Sequence, residues 1–141
     1  RVAMVAEHAF TIEEFIARLA DEDQLDLTFT EEPQHILLHG HCHQKSLIGT
    51  GPAIRALTLP PNYSVTEVDS GCCGMAGSFG YEREHYEVSM KIASLVLLPW
   101  LDDVPADTLI AAAGTSCRHQ IHDGTARTAH HPARVLRDAV D

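Results

Sequence analysis

The sequence predicts an α/β fold: a parallel sheet of three to four strands with flanking helices, a Rossmann-like layer. Three observations carry this expectation. The short runs His35–His39, Ser64–Val68 and Leu109–Ala113 are apolar or β-branched and brief, as buried strands are. Each is followed within three residues by a glycine, Gly40, Gly71 or Gly114. Helix-forming segments separate them, so the strands pair in parallel through crossovers rather than as hairpins.

Taken in order, Thr11-Ile12-Glu13-Glu14 is a capping box, with Phe10 and Phe15 placed as a hydrophobic staple, and predicts a helix over Thr11–Ala20. Acidic, turn-prone residues then loosen the chain from Asp21 to Pro33. Residues 1–32 read as an N-terminal helix and linker, ahead of one domain over 33–141. After the first strand, Gly51-Pro52 opens a helix through Leu57, because proline suits the first helical turn; Pro60-Pro61-Asn62 ends it. Beyond the second strand, Val88, Ile92, Leu95 and Val96 recur at helical spacing, predicting one helix over Glu82–Leu98 with Glu82, Arg83, Glu84, Glu87 and Lys91 in water. A fourth strand is expected within Ala126–His130. A final amphipathic helix is expected over Pro132–Val140, with Val135, Leu136 and Val140 inward.

With 141 residues, 45% of them hydrophobic, the chain is the length of one ordinary domain. It opens on Arg1, which fits a piece excised from something longer. Twenty acidic against ten basic side chains, a formal charge of -10, argue against nucleic acid as a partner. No apolar run is long enough to span a bilayer, so any membrane association is expected only peripherally, through partners. Four cysteines are too few for a secreted disulfide framework, and a reducing, cytoplasmic setting is expected.

The cysteines carry the chemistry. Cys42, the pair Cys72-Cys73, and Cys117 each follow a predicted strand end closely. In open parallel sheets the loops at the carboxyl ends gather on one edge, where ligands bind, so these distant residues should converge. A set of four thiolates suits an iron-sulfur cluster or tetrahedral zinc. Adjacent Cys72 and Cys73 favour the cluster, since neighbouring side chains diverge and zinc knuckles use a spaced pair. Gly40, Gly71, Gly74, Gly77 and Gly114 are expected to let the backbone turn around the centre and to present N–H groups to sulfur.

The segments His39-Gly40-His41-Cys42-His43-Gln44-Lys45, Asp69-Ser70-Gly71-Cys72-Cys73-Gly74-Met75-Ala76-Gly77 and Gly114-Thr115-Ser116-Cys117-Arg118-His119-Gln120 together resemble the cysteine-rich CCG domain family. That family includes a subunit of heterodisulfide reductase and the iron-sulfur subunits of glycolate oxidase and anaerobic glycerol-3-phosphate dehydrogenase. The wording is most similar to the C-terminal iron-sulfur region of FAD-linked D-lactate and D-2-hydroxyglutarate dehydrogenases, and the likeness runs from Ile36 to the C-terminus. It implies an electron-transfer module of a larger flavin-dependent 2-hydroxy-acid oxidoreductase. Its partners would be the FAD-bearing flavin domain, other iron-sulfur modules and an electron acceptor. One departure stands out: the fullest family pattern ends in C-x-x-C, and Gln120 replaces the last cysteine. The resemblance therefore implies a single 4Fe-4S cluster on Cys42, Cys72, Cys73 and Cys117 rather than the larger noncubane form; zinc on the same cysteines is the alternative.

His41, His43 and His119 flank the thiols and are candidates to ligate metal, hydrogen-bond sulfur or carry a proton; with Gly71 and Gly74 they complete the expected cofactor-binding set. A thiol enzyme built on Cys117 and His119 would lack a third, orienting group. Gly49-Thr50-Gly51 is too short for a phosphate-binding loop and reads as a helix start. Lys45 and Arg118 are placed to tune a cluster's potential or meet an anionic partner, whereas Phe79, Tyr81 and Trp100 read as packing groups.

Overall fold

The computed structural model describes residues 1–141 and is an α/β fold, as the sequence predicts. Four strands, β1 (Gln34–His39), β2 (Tyr63–Glu67), β3 (Leu109–Ala112) and β4 (Ala129–His130), form one sheet in the order β2-β1-β3-β4, all parallel. Ile36 lies opposite Val65 on one side and Leu109 on the other. Alternation along the strands sends successive side chains to opposite faces, and two apolar cores result. On one face Ile36, Leu38 and Ala111 pack with Ala53, Leu57, Val135 and Leu136. On the other, Leu37, Ile110 and Ala112 pack with Val68, Ala93, Leu97, Leu101 and Ile121, and this core also takes in Cys73, Met75 and Cys117.

The first layer consists of α2 (Ile12–Asp21), α4 (Gly51–Leu57) and α8 (Pro132–Asp138), preceded by a short exposed α1 (Val2–Ala6). The capping box is present: Thr11 Oγ1 accepts from Glu14 N–H, and the Glu14 carboxylate accepts from Thr11 N–H at 2.8 Å. Phe10 and Phe15 remain half exposed and line one surface groove. The second layer is α5 (Tyr86–Ala93), α6 (Leu97–Asp103) and α7 (Thr115–Thr125).

The expectation of one helix over Glu82–Leu98 is overturned. The chain turns at Ser94–Val96 and restarts as α6. Pro99 is the reason: in a continuous helix it would remove the bond to Leu95 C=O and clash with that carbonyl, whereas near the start of a new helix it has no such partner. The buried face differs too. Ser89, Ala93 and Leu97 point inward, while Val88 and Leu95 are exposed, Leu95 at 76%. Two helices that the apolar pattern does not announce carry cysteines in their first turns, α3 (Cys42–Leu47) and α7. α7 runs to Thr125 and ends on Ala126 in the left-handed conformation, which shortens the fourth strand to two residues. α8 stops at Asp138, and half-exposed Val140 leaves the helix to bridge Phe29 antiparallel.

The exits of β1 and β3 part at the carboxyl edge. β1 leads through α3 to α4 on one face, and β3 leads directly to α7 on the other. Such a switch point leaves a crevice where ligands bind in open α/β sheets.

Candidate metal centre

Loops leaving three strands bring the four cysteines to this edge. Cys42 opens α3, Cys72 and Cys73 lie in the segment after β2, and Cys117 sits in the first turn of α7. A cleft of about 350 Å³ is lined by His41, Cys42, His43, Cys72, Cys73 and Ser116. All four thiols are free; Cys73 and Cys117 are buried, Cys42 and Cys72 partly so.

The four sulfurs feel one another. Hydrogen bonding with Cys117 is the chief influence that lowers Cys73 below an ordinary thiol; burial opposes it, and hydrogen bonding with the His39 ring lowers Cys73 further. The same contact, with burial, pushes Cys117 upward. Burial and then neighbouring Cys72 push Cys42 upward. The contact therefore favours ionisation of Cys73 over Cys117, and a thiolate is the form that ligates metal.

Gly74 builds the turn that aims the cysteine pair. Its φ is +94°, and a Cβ there would lie 2.1 Å from Ser89 O, so only glycine fits. Its N–H donates to Cys72 Sγ at 3.3 Å. A Cβ on Gly114 would meet Cys117 Sγ at 2.9 Å and His41 Cδ2 at 2.5 Å, so this glycine lets ring and sulfur close in. Gly71 is exposed, with open space around it and an ordinary φ.

Gln120, where the resemblance expects a further cysteine, is 1% exposed. Its Nε2 donates to Ser89 O at 3.1 Å and Ser89 Oγ at 2.9 Å, tying α7 to α5 directly behind Gly74. Here the residue braces the turn instead of offering a donor to the centre.

The candidate histidines separate. His41 caps α3, its Nδ1 accepting from His43 N–H, and both rings line the cleft with centroids 5.5 Å apart. His119 is exposed and bonds Tyr81 Oη through Nδ1 at 2.6 Å. It lies two residues along α7 from Cys117, positions that do not share a helix face, so no Cys117–His119 pair forms. Arg118 turns back to the carbonyls of Ala112 and Ala113, and Lys45 Nζ donates to Ser70 O.

The structure adds His39, which periodicity reads only as the end of a strand. It is 1% exposed, and a ring nitrogen, Cys73 Sγ and Cys117 Sγ all lie within 4.8 Å of one another. Nδ1 pairs with Ser70 Oγ at 2.9 Å, while buried Nε2 has no hydrogen-bond partner. A histidine followed by glycine at a strand's carboxyl end is the signal in the chain that points to it. A grouped set of thiols, one of them made more acidic by its neighbours, with an unpartnered imidazole nitrogen beside them, fits a soft-metal centre.

Across His41 lies a second cavity of about 330 Å³, lined by Thr11, Glu13, His41, Gln44, Gly114 and His131. Four of these residues are the N-caps of α2, α3, α7 and α8. Glu13, 3% exposed, brings its carboxylate to this convergence of positive helix ends, with His131 Nε2 at 3.7 Å.

The fold and site define a class first: a parallel α/β unit with a thiol-lined crevice at its switch point. Comparison then gives its relatives. The chain is 30% identical over 108 residues, 77% of its length, to a subunit of anaerobic glycerol-3-phosphate dehydrogenase of Escherichia coli K12, the one designated C. It is 31% identical over 104 residues to D-2-hydroxyglutarate dehydrogenase of Pantoea ananatis, and 38% identical over 72 residues to that of Pseudomonas putida KT2440. These alignments cover 73% and 51% of the chain. The chain spans 27% of the length of the glycerol-3-phosphate dehydrogenase subunit, and 10% and 7% of the two hydroxyglutarate dehydrogenases. No family model matches the chain, and no solved structure does. No helix is long and apolar enough to cross a membrane.

Proposed function

We propose that this chain is an electron-transfer module of a larger flavin-dependent 2-hydroxy-acid oxidoreductase, with a single 4Fe-4S cluster held by Cys42, Cys72, Cys73 and Cys117. The observation that carries the reading is the convergence of four thiols from three β-to-α connections: Cys42, Cys72 and Cys73 line one crevice, and buried Cys117 lies against Cys73. Relatives that are dehydrogenases or their subunits support it. A cluster in this place supplies one-electron chemistry.

The chain's own residues bind, shield and tune. Cys73 and Cys117 hold the buried side, Cys42 and Cys72 the cleft side. Leu37, Val68, Met75 and Ile121 keep water from the buried sulfurs, and Gly74 N–H stabilises charge on Cys72. His41 and His43 border the open side, where a donor or acceptor would approach. FAD, substrate and further iron-sulfur modules belong to the remainder of the parent protein, in a reducing, cytoplasmic setting that keeps the thiols free. In this reading residues 33–141 are the CCG domain, and residues 1–32 lead into it.

Anaerobic purification with iron and acid-labile sulfide analysis tests the reading, together with electron paramagnetic resonance of the reduced protein. The expected result is a brown protein with equal iron and sulfide and a cluster signal on reduction. A colourless protein carrying one zinc per chain and no iron refutes it. That outcome would establish the second reading, a zinc-binding structural or assembly domain, which the closeness of His39, Cys73 and Cys117 favours. Ligand atoms within 4.8 Å of each other suit one ion bound at roughly 2.0–2.3 Å per bond.

A further inference from the structure

We infer that His39 is a positioning residue of the centre: its Nε2–H is a hydrogen-bond donor to the buried Cys73 and Cys117 sulfurs, and Ser70 fixes the tautomer that makes it so. The inference deepens the metal-centre reading and rests on it for the effect on potential, but not for the tautomer.

The argument starts from Ser70, which is 5% exposed and whose hydroxyl has one partner, His39 Nδ1 at 2.9 Å. If Nδ1 carried the proton, the hydroxyl would accept and its own hydrogen would be buried without a partner, a loss of about 1–3 kcal/mol. If the hydroxyl donates, nothing on Ser70 is left unpaired. The serine is itself held from both sides: its N–H donates to Val68 O at 2.8 Å, and its carbonyl accepts from Lys45 Nζ. Ser70 therefore donates to Nδ1, and the ring proton resides on Nε2.

Buried Nε2 has no hydrogen-bond partner of ordinary geometry. With Nδ1 held by Ser70, the acceptors at hand are the two sulfurs grouped with the ring within 4.8 Å, and the His39 ring already lowers Cys73 as a hydrogen-bonding neighbour. A donor aimed at thiolate sulfur stabilises added negative charge, so it raises the reduction potential of a centre bound there. Lys45, Ser70 and His39 form a chain from α3 through the loop after β2 to the end of β1, linking the two elements that carry Cys42 and the Cys72–Cys73 pair to the strand end beside them.

Two measurements test this. In the reduced, metal-free chain labelled with 15N-histidine, long-range proton–nitrogen correlation should show His39 protonated at Nε2 and bare at Nδ1. Ser70→Ala should abolish that preference while leaving the other histidines unchanged. Protonation of His39 at Nδ1 in the wild type overturns the proposal, whatever metal the chain binds. In the iron-loaded chain, His39→Leu should keep iron and sulfide content yet lower the reduced fraction at fixed potential about tenfold, equivalent to about 59 mV for one electron. His39→Gln, which retains an N–H, should recover part of that shift. An unchanged potential overturns the proposal. So does a strong nitrogen coupling to iron that His39→Leu removes, because it would make His39 a ligand rather than a donor. Failure of the wild type to take up iron refutes the cluster reading alone, and the tautomer measurement still decides this one.

Discussion

The two edges of the sheet treat polar groups in opposite ways. At the amino edge, Arg127 inserts a half-buried guanidinium before β4 and donates to the carbonyls of Leu101, Pro105 and Thr108 at 2.9–3.0 Å, with Val104 at 3.4 Å. It closes the turn between α6 and β3. At the carboxyl edge, His39 Nε2, Gln44 Nε2 and Glu13 Oε1 are buried without hydrogen-bond partners of ordinary geometry, beside four free thiols. A polar cluster that satisfies itself stabilises the fold, because its partners replace water. One left open holds binding capacity for a group from outside, and stability is not its purpose. The N-caps at this edge extend the contrast, since four helix ends converge on a cavity that only Glu13 begins to neutralise.

The strongest way to break this contrast is through the thiols. Cys73→Ser should abolish metal loading, measured as iron or zinc per chain, while far-ultraviolet circular dichroism stays that of the folded sheet. A variant that still loads fully removes Cys73 from the ligand set. At the opposite edge, Arg127→Ala should leave loading intact and cost about 3 kcal/mol of stability, since each charged hydrogen bond contributes about 1.5–3 kcal/mol and the abandoned carbonyls add a penalty. Urea unfolding with an unchanged slope is the check; a loss below about 1 kcal/mol would make the guanidinium ornamental.

Gly74 and Gly71 sharpen the comparison within one loop. Gly74→Ala should cost about 3 kcal/mol, combining about 1–2 kcal/mol for the left-handed backbone with a clash of similar size against Ser89 O. It should also loosen metal binding, because the turn aims Cys72 and Cys73. Gly71→Ala, in open space with an ordinary φ, should change stability by less than about 1 kcal/mol, with the sign toward stabilisation through a less mobile unfolded chain. Equal effects at the two positions would mean that the turn is not the constraint. The smallest expected effect belongs to His39→Leu in the metal-free chain: about 1 kcal/mol or less. The lost Ser70 bond is offset by removing the desolvation cost of a buried imidazole whose Nε2 has no oxygen or nitrogen partner. A loss of several kcal/mol there would move His39 to the self-satisfied class typified by Arg127.

Much of the architecture is local chemistry and therefore readable from the chain. Apolar runs closed by glycine mark β1 and β3 to within a residue, because a buried parallel strand must be apolar on both faces; β2, an edge strand with no fully buried residue, is marked by β-branched alternation instead. The Thr11 cap and Pro52 start α2 and α4 through side-chain and ring geometry that needs no distant partner. The placement of cysteines after three strands foretells a common edge from connectivity alone. What tertiary structure decided lies where local preference is weak. α3 starts on Cys42 and α7 carries Cys117 in its first turn, segments whose helical state is set by packing, and Pro99 divides the helix that the spacing of Val88 and Leu95 continues. Which histidine matters was also beyond the chain order. His41, His43 and His119 are nearer the cysteines in sequence, yet His119 turns outward to Tyr81. His39 turns inward because the β1 pleat and the Ser70 hydroxyl direct its ring toward the sulfurs. Sequence spacing fixes which residues can reach an edge; burial and the partners present there fix which of them stay unpaired.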